Sequence, residues 1–459
     1  MTKGFNWVDY TILLVYLLGM VGMGVYFSRR EDSTERFFLG GRSLPWWAVG
    51  VSVFGTQLSA ITYISIPGRA FETDWTWLVV NLGIPVVGVI IIYLFLSVYR
   101  ARRITSIYEF LEHRFGPETR VYGALAFVLM HVGRMAIILF LPALVLSEVT
   151  GLNVEIMILV MGILATAYTV LGGIEAVIWT DVVQVIVLLL GALVSLIIIC
   201  LDVDGGFGTI VAIGAEHDKF RMIVLDPNVS RDLIWFMIIG GIFTNFVPYA
   251  ADQTVVQRYF TMKTEGEARR CLWLSTLMAI PASLLFFFLG TALFGFYASF
   301  PDRLGAGVEW DRIFPFFLVH ELPTGIAGFV IAAIFAASMS SLDSSLNSIS
   351  AVCITDFYRR FMRPNATDRH CLKLARWITA VVGIVATCVA VVIARRILGN
   401  PDQRGAWDVF TAIQGLLGGG LAGTFCLGVF TKRGNQAGVV AGLVVSTALL
   451  AVVKYEYGW

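Results

Sequence analysis

Apolar runs of roughly 20 or more residues recur from one end of this 459-residue sequence to the other. At ~1.5 Å rise per residue each can cross a hydrocarbon core ~30 Å thick. One water-soluble core cannot absorb about a dozen such runs. Lipid offers no hydrogen bonds to exposed backbone, so segments of this length resolve as α-helices. Composition agrees: 58% of the residues are hydrophobic and 14% charged, charge being about half the level of soluble domains. The first run, Val8 to Phe27, lacks a small-residue cleavage signature and reads as a retained helix. A net charge of +1 gives no reason to expect nucleic acid as a partner. The six cysteines form neither a CxxC pair nor a metal-ligand spacing.

Twelve spanning helices are expected, centred near Tyr16, Phe54, Pro85, Arg134, Val160, Leu190, Phe243, Leu284, Phe335, Val385, Leu417 and Leu443. Bases fall in alternate loops: Arg29 to Arg42, Arg100 to Arg114, Arg258 to Arg270, Arg359 to Lys373, and Lys432 with Arg433. The positive-inside rule makes those loops cytoplasmic and puts the N-terminus outside. The same alternation expects a further C-terminal helix beyond Trp459. Between Tyr99 and Glu118, charge mixed with Ile104, Ile107, Phe110 and Leu111 suits a helix on the membrane surface or an ordinary amphipathic connector.

Two spans are interrupted alike. Trp46 to Phe71 carries Gly50, Gly55, Ser59, Thr62 and Pro67-Gly68; Ile234 to Phe260 carries Gly240-Gly241, Thr244, Asn245, Pro248 and Asp252. Helix breakers and polar groups at matching positions, five helices apart, point to a binding site between two repeats. Two merely kinked helices are the alternative. A five-plus-five inverted repeat fits, with repeats at 45–230 and 231–434 and additional helices within 1–44 and 435–459.

Within these spans a few side chains carry the chemistry. Arg134 lies at mid-span, roughly 20 Å from either interface, where a guanidinium must meet a cavity or an anion. Its planar fork suits a substrate carboxylate; an internal ion pair with Asp181 or Asp252 is the alternative. Asp181 opens a long apolar run and suits a hard cation or a helix-to-helix hydrogen bond. In Ala336 to Ser348, Ala337, Ser340, Ser341 and Ser344 share a stripe ~100° wide, with Asp343 roughly 60° to its flank. Sodium prefers such oxygen ligands, whereas serines alone also serve close helix packing.

With those segments in view, the sequence resembles the sodium/solute symporter family and, within it, the sodium-coupled sialic acid branch. The resemblance rests on Gly50-Val51-Ser52-Val53-Phe54, Ser65-Ile66-Pro67, Asp74-Trp75-Thr76, Gly133-Arg134, Gly172 to Asp181, Val255-Val256-Gln257-Arg258-Tyr259 and Ser344 to Ser350. It implies an all-α integral membrane protein with the leucine-transporter-type five-plus-five inverted repeat, the first helix of each repeat being broken. It implies a first sodium site from the backbone oxygens of Gly55, Leu58 and Ala337 with the hydroxyls of Ser340 and Ser341. A second would use Asp181, Ser340, Ser344 and position 343, where the family pattern has a hydroxyl and this chain has Asp343. It assigns Arg134 to a substrate carboxylate, Ser59 and Thr62 to hydrogen bonds, and Trp77 to the pocket wall. Gln57 and Asn81 stand where the sialic acid pattern has threonine and glutamine.

The reading is a secondary active transporter in the inner membrane, working as a monomer and importing a sialic acid-type sugar acid with sodium by alternating access. A symporter for a neutral sugar or short monocarboxylate is the near rival. From other classes, a channel would only dissipate gradients, and an intramembrane hydrolase using Ser341 and His131 would lack the GxSxG elbow.

Overall fold

The structure, a computed structural model, describes residues 6–29, 33–101, 104–223, 234–305, 307–399 and 406–457. Every regular element among them is helical. In chain order the α-helices are α1 (Trp7–Ser28), α2 (Thr34–Leu39), α3 (Trp46–Gln57), α4 (Ala60–Glu72), α5 (Leu78–Ile90), α6 (Leu96–Arg100), α7 (Tyr108–Phe115), α8 (Pro117–Thr150), α9 (Val154–Asp202), α10 (Gly206–Glu216), α11 (Ile234–Ala250), α12 (Gln253–Tyr259), α13 (Glu265–Ser299), α14 (Ile313–His320), α15 (Ile326–Val352), α16 (Asp368–Gly399), α17 (Ala406–Phe430) and α18 (Gln436–Tyr457). All twelve expected centres fall on these helices. Among the described residues seven helices are long and apolar enough to cross a membrane, or eight if the bent α3–α4 pair is one span. The 49 residues of α9 include Gly173 with φ 58° and ψ −170°. At ~1.5 Å per residue the run is more than twice a bilayer core, and only glycine enters that backbone region freely, so α9 comprises the two spans expected around Val160 and Leu190.

Both interrupted spans are broken. The first breaks at Leu58 and Ser59, which are extended between α3 and α4, and its two halves are bent by 57°. Pro67-Gly68 does not make the break: Pro67 lies inside α4. A Cβ on Gly68 would stand 2.3 Å from the Trp310 carbonyl oxygen, so this glycine serves close backbone packing. The second span ends at Ala250 and resumes at Gln253. Asp252, extended, caps α12 by accepting from the Thr254 N–H at 2.8 Å.

Helix α15 forms the axis of the bundle, with every residue from Ala327 to Val352 except Phe329 buried. Its first turn is pinned by Asp9 of α1, whose Oδ1 accepts from the N–H groups of Gly325 (2.7 Å) and Gly328 (2.8 Å). Large apolar side chains such as Leu14, Ile163, Ile197, Trp377, Ile384 and Leu449 are instead exposed on the outer helices, as hydrocarbon-facing residues must be. The α7 region differs from the surface helix that its composition suggested. Ile104, Ile107, Phe110 and Leu111 are all buried, so its apolar side is covered by protein rather than lipid.

Candidate functional site

The serine-bearing face of α15 meets the first break directly. The Ser341 Oγ donates to the Thr56 carbonyl oxygen at 3.5 Å, and the hydroxyls of Ser344 and Thr56 are 3.2 Å apart. Gly55 leaves room for this approach: a Cβ there would stand 3.4 Å from the Ser340 Oγ and 2.6 Å from Val185. Leu58 and Ala337 share one buried apolar cluster. The hydroxyl face of Ser340 and Ser341 is therefore set against the end of α3 at Gly55 and Thr56, and Leu58 and Ala337 belong to the apolar cluster there.

Asp181 of α9 accepts from the Ser340 Oγ and the Ser52 Oγ, each at 2.5 Å. Beside it lies Asp343, whose Oδ2 accepts from the hydroxyls of Tyr168 (3.1 Å) and Thr180 (3.5 Å). The expected second set, Asp181, Ser340, Asp343 and Ser344, is thus assembled between α9 and α15. One member went unforeseen. Arg258 of α12 was counted among the bases of a cytoplasmic loop, yet it is fully buried. It pairs with Asp181 at 2.9 Å and donates to the Ser52 and Ser344 hydroxyls at 2.7 Å each. The available signal was its setting: Val255, Val256 and Tyr259 surround it with apolar residues, unlike the loop bases that follow. Asp181, Asp343 and Arg258 together bear one formal negative charge.

Arg134 sits mid-way along α8, buried. Its Nη2 donates to the Thr56 carbonyl oxygen at 3.2 Å, and its Nη1 lies 4.0 Å from Asp252 Oδ2. Asp252 rather than Asp181 is therefore its nearest carboxylate, at the edge of ion-pair range. A shorter bond to Asp252 comes from His131, whose Nε2 is 2.9 Å away while its Nδ1 is 2.9 Å from Ser345 Oγ. The hydrolase alternative placed His131 with Ser341; the ring meets Ser345 instead. The Ser345 hydroxyl donates to the Ser341 carbonyl oxygen at 2.7 Å, so its proton is engaged along the helix.

Three of the six expected substrate residues carry a buried N–H that finds no acceptor among the described residues: Arg134 Nε, Gln57 Nε2 and Trp77 Nε1. Buried donors are rarely left so. Gln57 adjoins the Thr56 carbonyl that Arg134 touches. Ser59, at the N-cap of α4, makes no capping bond with its side chain. Thr62, Ile66 and Arg69 follow one face of α4. Trp77 packs in one cluster with Ile66 and lies beneath Arg69, 4.2 Å from the guanidinium carbon to the ring centre. Asn81, half-buried, is one turn further along α5.

Away from the break, a cavity of about 500 Å³ is lined by Arg42, Arg120, Arg359, Arg360, Glu35 and Glu109 among others. Next to it, Arg120 pairs with Asp356 at 2.6 Å and with Glu112, which also binds Arg360 at 2.6 Å. The Arg360 guanidinium first, then that of Arg120, hold the Glu112 carboxyl below its usual range against partial burial.

Two broken helices facing a hydroxyl-lined central helix, with a cation and carboxylates at bilayer depth, define a transporter of ions and a small solute, in a multi-pass membrane protein. The sequence profile described as the sodium:solute symporter family matches residues 37–446, and the chain belongs to that family. It is 38% identical to the sodium/sialic acid symporter SiaT of Proteus mirabilis (strain HI4320) over 99% of this chain and 90% of that one. A solved Na⁺-coupled sialic acid symporter in a substrate-bound outward-open state superimposes with a TM-score of 0.89, at 38% identity, covering 99% of this chain and 93% of the other. The nucleobase-cation-symport-1 family transporter Mhp1 in a closed conformation shares the fold, with a TM-score of 0.54 at 16% identity over 92% and 95% of the chains. The chain is accordingly a sodium-coupled secondary active transporter of the leucine-transporter fold, not an enzyme or a channel.

Proposed function

We propose that this symporter imports a carboxylate-bearing sugar of the sialic acid type together with sodium. The observation that carries the reading is the set of unpaired buried donors at Arg134, Gln57 and Trp77. Donors without acceptors suit a solute rich in acceptors, and a guanidinium among them suits a carboxylate. Ser59, Thr62 and Asn81 complete the solute pocket, and the sialic acid named for the relatives meets those requirements. Sodium occupies the set Gly55, Leu58, Ala337, Ser340 and Ser341. A second cation position lies at Asp181, Ser340, Asp343 and Ser344, next to Arg258.

Residues 45–230 and 231–434 act as the two repeats, and 1–44 and 435–459 contribute the added helices. The protein functions as a monomer in the inner membrane with its N-terminus outside. Sodium entering from the positive side closes the break over the solute, and both leave to the cytoplasm. Each net charge moved gains about 2.3 kcal/mol per 100 mV.

Purified protein in liposomes should accumulate labelled N-acetylneuraminate only under an inward sodium gradient. Equal uptake without sodium would remove the coupling. A competition panel separates the rival solutes: displacement by glucose or pyruvate, but not by sugar acids, would replace the proposed substrate.

A further inference from the structure

A buried carboxylate beside the expected solute ligand creates a problem that the positions of its neighbours resolve. Asp252 Oδ2 lies 4.0 Å from Arg134 Nη1. Left as the only cation near that carboxylate, Arg134 would be drawn onto it, and an anionic solute would have to displace an internal ion pair before binding. The other group at Asp252 Oδ2 is His131, at 2.9 Å.

The hydrogen positions follow from the acceptors. The Ser341 carbonyl cannot donate, so the Ser345 hydroxyl proton lies in the 2.7 Å bond to it. The Ser345 Oγ must then accept from His131 Nδ1 at 2.9 Å. On the other side of the ring, Asp252 Oδ2 as a carboxylate accepts from Nε2. Both ring nitrogens then face acceptors, Ser345 Oγ on one side and Asp252 Oδ2 on the other. The remaining oxygen of Asp252 is taken by the Thr254 N–H at 2.8 Å and the Thr254 hydroxyl at 2.6 Å. All three side chains, His131, Asp252 and Ser345, are almost fully buried.

Resting on the reading of an anionic solute, we infer that His131 is the standing counter-ion of Asp252 and thereby keeps Arg134 uncommitted for the solute's carboxylate. His131 touches neither solute nor sodium; it is a positioning residue acting through Asp252. Its bond to Ser345 fixes it on α15, and Asp252 fixes it on the second broken helix, so the pair also holds the second break in register with the serine face.

The test is charge rescue in the full-length protein, reading the dissociation constant for N-acetylneuraminate at saturating sodium. His131→Gln should weaken binding by at least about tenfold, because Arg134 then serves Asp252. Adding Asp252→Asn, which keeps the α12 cap, should restore affinity to within about threefold of the parent. A packing role for His131 would not be rescued by removing a charge. Sodium-induced thermal stabilisation of His131→Gln in the absence of solute should match the parent, which controls for folding. Unchanged affinity in His131→Gln, or a double variant as weak as the single one, overturns the inference while leaving the transport reading intact. A parent protein that binds no sugar acid overturns both.

Discussion

Arg258 Nη2 lies 2.9 Å from Asp181 Oδ2 with both side chains fully shielded from solvent. The pair joins α12, beyond the second break, to α9. Ser52 on the first half-helix and Ser344 on the central helix bind the same guanidinium. One cation therefore ties four elements together beside the proposed sodium positions.

Breaking that pair leaves an uncompensated charge in a dry interior. Arg258→Gln should cost about 3–5 kcal/mol of stability, and Asp181→Asn added to it should recover part of the loss. Thermal denaturation of the two single variants and the double variant gives the coupling term. Simple additivity would mean that the two side chains do not act as a pair.

For Arg134→Ala, solute binding should weaken by about 2–5 kcal/mol, the usual cost of truncating one side of a buried charge-assisted contact. Arg134→Lys should recover little, because an ammonium cannot replace the fork. Sodium alone should still stabilise both variants in a thermal shift assay. Wild-type affinity for N-acetylneuraminate in Arg134→Ala would take this residue out of the pocket.

Asp343 stands where the resemblance to the family implies a hydroxyl. Replacing it with serine takes the formal charge of the Asp181, Asp343 and Arg258 group from −1 to zero. At an effective dielectric of ~20 and a separation of ~6–8 Å, one lost carboxylate weakens attraction for a cation by about 2–3 kcal/mol. The sodium concentration for half-maximal uptake should therefore rise by about 30-fold or more. An unaltered sodium dependence would mean that Asp343 faces no cation and serves only Tyr168 and Thr180.

What the sequence reveals here depends on the cost of polarity in lipid. Arg134, Asp181 and the Ser340 stripe stand out because nothing apolar explains them, and each lies beside the break. Arg258 was hidden by its position near the end of a span, where a base reads as a loop residue snorkelling to water. Only the return of α12 into the bundle buries it. The breakers from Gly50 to Gly68 leave the exact break open; it falls at Leu58-Ser59 while Pro67 stays inside α4, because proline and glycine are tolerated inside spanning helices when neighbours satisfy the backbone. His131 offered no periodic signal; its role exists only once Asp252 and Ser345 arrive from distant segments.

Glu112 gives a pH test outside the spans. Its carboxyl is held low in the folded protein, chiefly by Arg360 and then Arg120. A depressed pKa stabilises fully above the unfolded value of about 4.3 and is lost as pH falls through the lower folded value. The melting temperature of the parent should therefore fall more steeply than that of Glu112→Gln below about pH 4.3, while between pH 6 and 8 the difference should stay constant. Parallel acid limbs would assign the acid sensitivity to other carboxyls.

The second half of the first broken helix, α4, is held against α13 by an approach that only glycine permits. A Cβ at Gly290 would lie 2.3 Å from the Pro67 carbonyl oxygen and 2.7 Å from the Ala70 Cβ. Because the obstruction is backbone, it cannot rotate aside as a side chain would. Gly290→Ala should destabilise by about 1–3 kcal/mol. Gly423→Ala on α17, where a Cβ meets nothing within 4 Å, should be neutral or stabilising by up to about 1 kcal/mol. Melting temperatures in detergent compare the two directly. Since α4 carries Thr62 and Arg69, displacing it from α13 should also weaken solute binding in Gly290→Ala, whereas Gly423→Ala should bind as the parent does. Equal melting temperatures and equal affinities in both variants would show that α4 and α13 yield easily at this contact.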